Sequence, residues 1–145
     1  MLKIISVNTN GIRAAARKGF FDWLKRQNAD VVCIQETKAQ IHQLEDECFR
    51  PKGYFCYYND ALKKGYSGVA IFCRIKPKKI IYGIGYKEFD EEGRYLEVRF
   101  DSINVVSIYL PSGSSGDVRQ SFKMECLEKF ENHLKKLRRR HSEYV

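Results

Sequence analysis

The amino-acid sequence predicts an α/β fold, with a mixed β-sheet that carries helices on one face. Three observations lead to this prediction. Residues 2–7 and 30–34 are short apolar runs that flank an amphipathic segment, several further strand-like runs follow residue 53, and a long amphipathic helix follows residue 116. At 145 residues, the chain has the length of a single domain.

The first elements form a strand–helix–strand unit. Residues 2–7 have the apolar character of a short buried strand, residues 18–27 place apolar side chains at helical spacing, and residues 30–34 form the next apolar run. In such a unit the two strands run parallel. Asn8 and Glu36, which follow these strands, are therefore expected at the same edge of the sheet.

The middle of the chain is richer in strands. Residues 41–49 are predicted to form a short helix. Further strands are predicted at residues 54–58, 67–73, 79–82, 94–100 and 103–109. Apolar and charged residues alternate from 94 to 100, which is typical of a half-exposed strand, and the turn at Asp101 and Ser102 predicts an antiparallel hairpin with the strand that follows.

A long helix and a short strand are predicted at the end of the chain. Asp117 follows a Gly- and Ser-rich loop and is a candidate helix N-cap. The face that should pack on the sheet repeats apolar residues at spacings of three and four: Leu127, Phe130, Leu134 and Leu137. Tyr144 and Val145 resemble the start of another strand.

Composition narrows the class of protein. Lys and Arg number 26 against 18 Asp and Glu, and the resulting net charge of +8 favours binding to polyanions, nucleic acid before an anionic membrane surface. The five cysteines are odd in number and lack CxxC spacing, which argues against a disulfide framework or a zinc site. Neither a signal peptide nor a membrane span is visible. We therefore expect a soluble cytoplasmic protein.

Glu36 and Asn8 are the strongest candidates for a functional site. A carboxylate beside an amide, at the carboxyl edge of parallel strands, suits a hard cation such as Mg²⁺. A glutamate at a strand end is more often solvated or salt-bridged, and Asn10-Gly11 is a common turn dipeptide. The joint placement of Asn8 and Glu36 is what favours a metal site, and Lys38 beside Glu36 could hold a phosphate.

Two tyrosines are further candidates. Tyr109 precedes a Gly- and Ser-rich loop that can present N–H groups to a phosphate, although most such loops are connectors. Tyr66, in the segment KKGYSG, resembles a basic-aromatic contact for a nucleic-acid backbone, although the segment alone is a hairpin tip. The three histidines, His42, His133 and His141, do not suggest a catalytic triad. Hydrolysis by metal-bound water is the better chemical hypothesis.

Four segments, in order along nearly the whole chain, resemble a known family of enzymes. They are residues 2–14 (LKIISVNTNGIRA), 30–38 (DVVCIQETK), 65–70 (GYSGVA) and 109–113 (YLPSG). Together they are similar to the N-terminal half of the exonuclease III-type apurinic/apyrimidinic endonucleases, within the endonuclease/exonuclease/phosphatase superfamily.

The resemblance implies a DNA-repair nuclease that depends on Mg²⁺, or alternatively Mn²⁺. Such an enzyme cuts double-stranded DNA on the 5′ side of an abasic site, and the family adds 3′→5′ exonuclease and 3′-phosphatase activities. By this resemblance, Glu36 and Asn8 serve the metal, and Tyr109 is catalytic through contact with the scissile phosphate. The DNA-binding residues would be Asn10, Arg13, Lys38, Tyr66 and Ser112. Ser112 stands where many relatives carry an amide.

The resemblance also implies that residues 1–145 are one half of a four-layer α/β-sandwich. The family pattern continues with a Gly-Asp-Trp-Asn-like strand end and an Asp-His pair, which this sequence lacks. We therefore expect the missing C-terminal half to be the main partner, the intact protein to be a monomer, and the 145-residue chain to be inactive alone. One half by itself would expose an apolar sheet face.

Two alternatives remain open. The chain could belong to another phosphodiesterase or phosphatase of the superfamily, acting on phosphoinositides or sphingolipids, although its basic charge disfavours this. It could instead be a non-catalytic nucleic-acid-binding module.

Overall fold

The computed structural model describes residues 1–140 and 143–145, and it contains two four-stranded sheets. The strands are β1 (Ile4–Asn8), β2 (Val31–Gln35), β3 (Phe55–Asn59), β4 (Val69–Cys73), β5 (Lys79–Tyr82), β6 (Tyr95–Arg99), β7 (Ile103–Ile108) and β8 (Glu143–Tyr144). The helices are α1 (Ile12–Arg17), α2 (Phe20–Gln27), α3 (Lys87–Asp90) and α4 (Asp117–Arg138), with 3₁₀ turns at Ile41–Gln43 and Glu47–Phe49.

The first sheet has the strand order β1-β2-β4-β3 and confirms the predicted strand–helix–strand unit. β1 and β2 are parallel, with Asn8 opposite Gln35. β4 and β3 continue the sheet in antiparallel pairs. The carboxyl ends of β1 and β2 therefore lie side by side at one edge.

The second sheet has the order β5-β6-β7-β8. β6 and β7 form the predicted antiparallel hairpin, and β8 pairs parallel with β7, which confirms the strand predicted at Tyr144. The prediction that β6 is half-exposed is wrong, because Glu97 is fully buried. Its carboxylate accepts a hydrogen bond from the Tyr95 hydroxyl at 2.7 Å and pairs with Arg99 at 2.5 Å, which compensates for the loss of solvation.

The two sheets pack face to face, so that helices lie outside both. Their shared core consists of Val31, Cys33, Val69, Ile71 and Cys73 from the first sheet and Leu96, Val98 and Val105 from the second. Ile12 of α1 and Leu24 of α2 cover the outer face of the first sheet, and Cys126 of α4 packs against that of the second. The α/β class is confirmed. The apolar sheet face expected to be exposed is instead covered by the second sheet.

Several local predictions differ from the structure. Residues 41–49 form two separate 3₁₀ turns rather than one helix, and the Asp46 carboxylate caps the second by accepting the Cys48 N–H at 2.9 Å. Asp117 is not the N-cap of α4: Gly116 occupies that position, and Asp117 lies in the first turn. On the predicted packing face of α4, Leu137 is buried but Leu134 is 41% exposed.

The cysteines are free thiols throughout residues 1–140 and 143–145. Burial raises the pKa of Cys33 to about 12, so this thiol is protonated and behaves as a small apolar side chain. None of the helices in the described part of the chain is both long and apolar enough to cross a membrane.

Replacing Gly68 with alanine is expected to lower the free energy of unfolding more than the same change at Gly53. Both glycines have similar positive φ angles, 84° and 85°. A Cβ at residue 68 would overlap the hydroxyl of buried Thr37, whereas a Cβ at residue 53 would meet no atom within 4 Å. Urea unfolding should therefore show an extra loss of about 1–3 kcal/mol for Gly68→Ala. Equal losses for the two variants would contradict this close approach.

Candidate functional site

Asn8 and Glu36 meet where β1 and β2 end, as the parallel pairing predicts. Asn8 Nδ2 donates a hydrogen bond to Glu36 Oε1 at 2.8 Å. Asn8 Oδ1 accepts the backbone N–H of Asn10 at 2.9 Å, which fixes the orientation of the amide. The amide therefore presents a donor to the carboxylate and holds it in place.

The chain turns after β2 in an unusual backbone conformation. Glu36 and Lys38 have φ angles of 51° and 48°, which are uncommon for residues other than glycine. The turn is held because the N–H of buried Thr37 donates to Gly68 O at 3.1 Å and that of Lys38 donates to Ser67 O at 2.9 Å. Strained backbone of this kind clusters at functional sites. Here the strained turn brings the charged side chains of Glu36 and Lys38 face to face.

Lys38 joins Glu36 to a group of basic residues. Its Nζ lies 3.2 Å from Glu36 Oε2 and donates to Asn10 Oδ1 at 2.6 Å. Its carbonyl accepts a hydrogen bond from Arg13 Nη2 at 3.4 Å. Arg13, Arg17 and Lys38 line a cleft of about 360 Å³. Arg17 belongs to α1, a helix that the sequence pattern did not predict. A cleft lined by cations suits a phosphate group.

Tyr109 reaches Glu36 from the second sheet, where it follows β7. Burial alone would raise the pKa of Glu36, but hydrogen bonds from Asn8, Lys38 and Tyr109 outweigh it and hold the pKa below its ordinary value. Burial and the hydrogen bond to the carboxylate raise the pKa of Tyr109. At neutral pH the site therefore pairs an ionised acceptor with a protonated phenol donor.

The oxygen atoms at this edge fit part of a magnesium shell. Within residues 1–140 and 143–145, no group of three or more His, Cys, Asp or Glu side chains could hold a metal ion. Mg²⁺ usually keeps several waters and takes one or two carboxylates together with substrate phosphates. Glu36, ionised and oriented by Asn8, can supply one such carboxylate, and the remaining ligands would come from water and phosphate.

Tyr66 and Ser112 lie in different surroundings. The Tyr66 hydroxyl accepts hydrogen bonds from Arg94 and Arg119, and Arg94 also donates one to the Tyr109 carbonyl. Ser112 lies in the exposed loop after Tyr109, with its hydroxyl 2.9 Å from that of Ser114. Among the hydrogen bonds of the described residues, none links Ser112 to Glu36 or Lys38. Hydrogen bonds and an ion pair join Asn8, Asn10, Arg13 and Lys38 around Glu36, whereas Tyr66 and Ser112 lie outside this network in the described residues.

Behind the two tyrosines lie charged residues that the sequence pattern did not single out. Arg94 is 2% exposed and pairs with Glu92 at 2.6 Å, while its Nη1 donates to the Tyr109 carbonyl at 2.8 Å. Glu92 and Arg94 are close in sequence, which could have suggested an ion pair. Their tyrosine partners could not be identified in this way, because Tyr66 and Tyr109 lie 28 and 15 residues from Arg94.

The two described histidines do not join this site. His42 is exposed, and His133 is part of α4, with its Nε2 3.0 Å from the Tyr95 hydroxyl. The third, His141, lies outside the described residues.

Comparisons with known proteins point to one family. The model of the Endonuclease/Exonuclease/phosphatase family matches residues 5–143. The exodeoxyribonuclease of Bacillus subtilis is 42% identical over 128 residues, which cover 88% of this chain and 50% of that protein. The DNA repair nuclease APEX1 of Danio rerio is 36% identical over 126 residues, covering 84% of this chain and 40% of that protein.

A solved structure shows the same fold. The AP endonuclease of Archaeoglobus fulgidus superposes with a TM-score of 0.81 at 30% identity, covering 94% of this chain and 52% of that one. These matches cover most of this chain but only 40–52% of the other proteins, so the chain spans about half their length.

The contribution of Glu36 to stability should depend on pH. Because its pKa in the folded chain is below the ordinary value of about 4.3, the carboxylate stabilises the fold fully above that value, and this contribution is lost as pH falls through the folded pKa. The unfolding free energies of the parent chain and Glu36→Gln should differ most at about pH 7 and converge once the pH has fallen below the folded pKa of Glu36. A difference that stays constant across this range would contradict the prediction. Glu45→Gln, at an exposed position, serves as the charge-matched control.

Proposed function

The chain belongs to the endonuclease/exonuclease/phosphatase family, and on this premise we propose that it is the amino-terminal half of a Mg²⁺-dependent DNA-repair nuclease. The intact enzyme would hydrolyse the phosphodiester bond on the 5′ side of abasic sites in double-stranded DNA. We also propose that the intact enzyme has 3′→5′ exonuclease and 3′-phosphatase activities and that it is a monomer in a reducing cytoplasm.

One observation carries this proposal: an ionised carboxylate lies between an amide, an ammonium group and a phenol at the edge of the first sheet. Glu36 accepts a hydrogen bond from Asn8, pairs with Lys38, and lies close enough to Tyr109 for the phenol to help lower its pKa. Directly beside it is the cleft lined by Arg13, Arg17 and Lys38. A cation-binding oxygen next to a cationic cleft suits a substrate that brings phosphate groups, which can complete the shell of a hard cation.

The residues take separate roles in the proposed hydrolysis. Glu36 would hold Mg²⁺, which when bound stabilises negative charge on the phosphoryl oxygens. Asn8 keeps the Glu36 carboxylate oriented through its amide donor. Tyr109 is held in its protonated form, so its hydroxyl can donate to a phosphate oxygen on which charge develops. Lys38 would neutralise charge on the same phosphate.

The basic side chains define a path for the DNA backbone. Arg13 and Lys38 would contact phosphates through charge-assisted hydrogen bonds, and Asn10 and Tyr66 through neutral donors. Ser112, on the exposed loop that follows Tyr109, would contact the DNA strand as well. Since phosphate contacts position the duplex without reading bases, recognition of the abasic site itself requires further residues.

The second half of the domain would supply the remaining catalytic groups. Water activation in phosphodiester hydrolysis needs a general base within hydrogen-bond reach of the nucleophile. In the part of the chain that the structure describes, Glu36 lacks the further His, Cys, Asp or Glu neighbours that would form a metal cluster. We therefore propose that the 145-residue chain binds the metal weakly and is inactive alone.

Incision of an abasic-site duplex tests the proposal. The 145-residue chain and a longer protein that extends it through the second half would each be incubated with a 5′-labelled duplex carrying one tetrahydrofuran abasic analogue. Cleavage is expected only from the longer protein, and only with Mg²⁺ rather than EDTA. In that protein Tyr109→Phe should slow incision by about 10²–10³-fold, because it removes a donor to the developing charge. Tyr82→Phe, at an exposed strand position, is the matched control.

Other outcomes would support the alternatives. Incision by the 145-residue chain alone would contradict the assignment of half a site. Hydrolysis of phosphoinositide in place of DNA would favour a lipid phosphodiesterase. DNA binding without incision, indifferent to EDTA and to Glu36→Gln, would favour a non-catalytic binding module.

A further inference from the structure

The Tyr66 hydroxyl is held from one side by two arginine side chains. Its oxygen accepts hydrogen bonds from Arg94 Nη2 at 2.9 Å and from Arg119 Nη2 at 2.7 Å. A phenol has lone pairs to accept hydrogen bonds and a single proton to donate. Because guanidinium donors occupy the oxygen, the hydroxyl can serve a further partner only by donating its proton. Such a partner must be an acceptor, and an anionic oxygen is the best one.

The ring of Tyr66 is fixed as well as its hydroxyl. Lys63 Nζ lies 4.9 Å from the ring centroid, and the Arg94 guanidinium lies 5.6 Å from it. Both distances are within the range of cation–π attraction. The direction in which the partly exposed Tyr66 donates its proton is therefore set before any ligand binds.

Arg94 connects this tyrosine to Tyr109. Its Nε pairs with Glu92 at 2.6 Å, and its Nη1 donates to the Tyr109 carbonyl at 2.8 Å. Its guanidinium also lies 5.1 Å from the centroid of the Tyr109 ring. A guanidinium carries five N–H donors in a rigid plane, so one buried side chain can hold three partners at once. The compact ammonium group of a lysine lacks this geometry.

Arg119 completes the group from the start of α4. Its Nη1 lies 3.1 Å from Glu92 Oε1. The Arg119 side chain is 31% exposed, whereas that of Arg94 is almost fully buried. Glu92 therefore bridges two guanidinium groups and balances one of their charges. One positive charge remains next to the Tyr66 hydroxyl, which favours an anion at that position.

We propose that Glu92, Arg94 and Arg119 are positioning residues of the nuclease. They make the Tyr66 hydroxyl a fixed hydrogen-bond donor to a backbone phosphate of the bound DNA, and Arg94 links this contact to the catalytic Tyr109. The proposal rests on the proposed nuclease function, since it assigns the acceptor to the DNA substrate.

A double-mutant cycle on DNA affinity tests the first part. The intact protein would bind a fluorescent duplex with one tetrahydrofuran abasic analogue in EDTA, and Kd would be read by anisotropy. Tyr66→Phe and Arg119→Met should each weaken binding about tenfold, because each impairs one charge-assisted contact. The double variant should bind no more than about twofold more weakly than either single variant, because both changes remove the same contact.

The control is Arg138→Met, which removes the same charge from the exposed far end of the same helix. It should weaken binding by less than about twofold. Arg138→Met could weaken DNA binding as much as Arg119→Met does, or the losses of affinity from Tyr66→Phe and Arg119→Met could multiply in the double variant. Either result would mean that Arg119 acts by charge alone and would refute the positioning role.

Steady-state kinetics test the link to Tyr109. Tyr66→Phe and Arg119→Met should raise KM and leave kcat within about twofold, as expected for lost uniform binding. Arg94→Lys keeps the charge but not the planar donors, so it should also lower kcat at least tenfold through misplacement of Tyr109. Glu92→Gln changes a partly exposed side chain and frees Arg94 from its ion pair without removing it. This variant should also lower kcat, so it tests the link even if Arg94→Lys does not fold.

The outcomes separate the two proposals. An intact parent protein that neither binds nor cuts abasic duplex DNA refutes the nuclease function and the positioning role with it. A parent protein that cuts, combined with Arg94→Lys and Glu92→Gln variants that keep the parental kcat, refutes only the link to Tyr109. A lower Tm without the KM and kcat pattern would show that the group is merely structural.

Discussion

The parallel pairing of β1 with β2 is the constraint on which the rest of the site depends. Its register places Asn8 opposite Gln35, so Glu36 is the first residue beyond the sheet and meets the Asn8 amide at 2.8 Å. The pairing requires a crossover, which α1 and α2 supply while they bury Ile12 and Leu24 against the outer face of the sheet. A slip of one residue would send the side chains to opposite faces and separate the amide from the carboxylate. Apolar burial thus determines the geometry of a polar site.

The second sheet contributes to the same edge through a contact between the sheets. Ser107 of β7 is buried, accepts a hydrogen bond from the Gln35 side chain at 3.0 Å and donates one to the Ile34 carbonyl at 3.1 Å. Two residues later, Tyr109 reaches Glu36. Because the bridge at Ser107 aligns β7 with the end of β2, face-to-face packing of the sheets brings the tyrosine to the carboxylate.

Opposite pKa shifts within the site follow from shared hydrogen bonds. The interaction between the Tyr109 phenol and the Glu36 carboxylate helps to lower the pKa of the acid, and together with burial, the larger cause, it raises the pKa of the phenol. Beneath them, Arg94 is buried, and its charge is compensated because Glu92 and the Tyr109 carbonyl accept its N–H groups. The site therefore combines a carboxylate ready for a cation with donors ready for a phosphate.

From the sequence we could predict the α/β class, the strand–helix–strand unit, the hairpin of β6 and β7, and the meeting of Asn8 with Glu36. These follow from local patterns, because hydrophobic periodicity reports which faces of a segment are buried, and parallel pairing follows from the crossover. The folded chain alone revealed that Glu97 is buried, that the two sheets cover each other, and that Arg94 joins Tyr66 to Tyr109. Each of these depends on partners brought together by packing, such as the Tyr66 hydroxyl 28 residues from Arg94, and no local pattern encodes a partner at that separation.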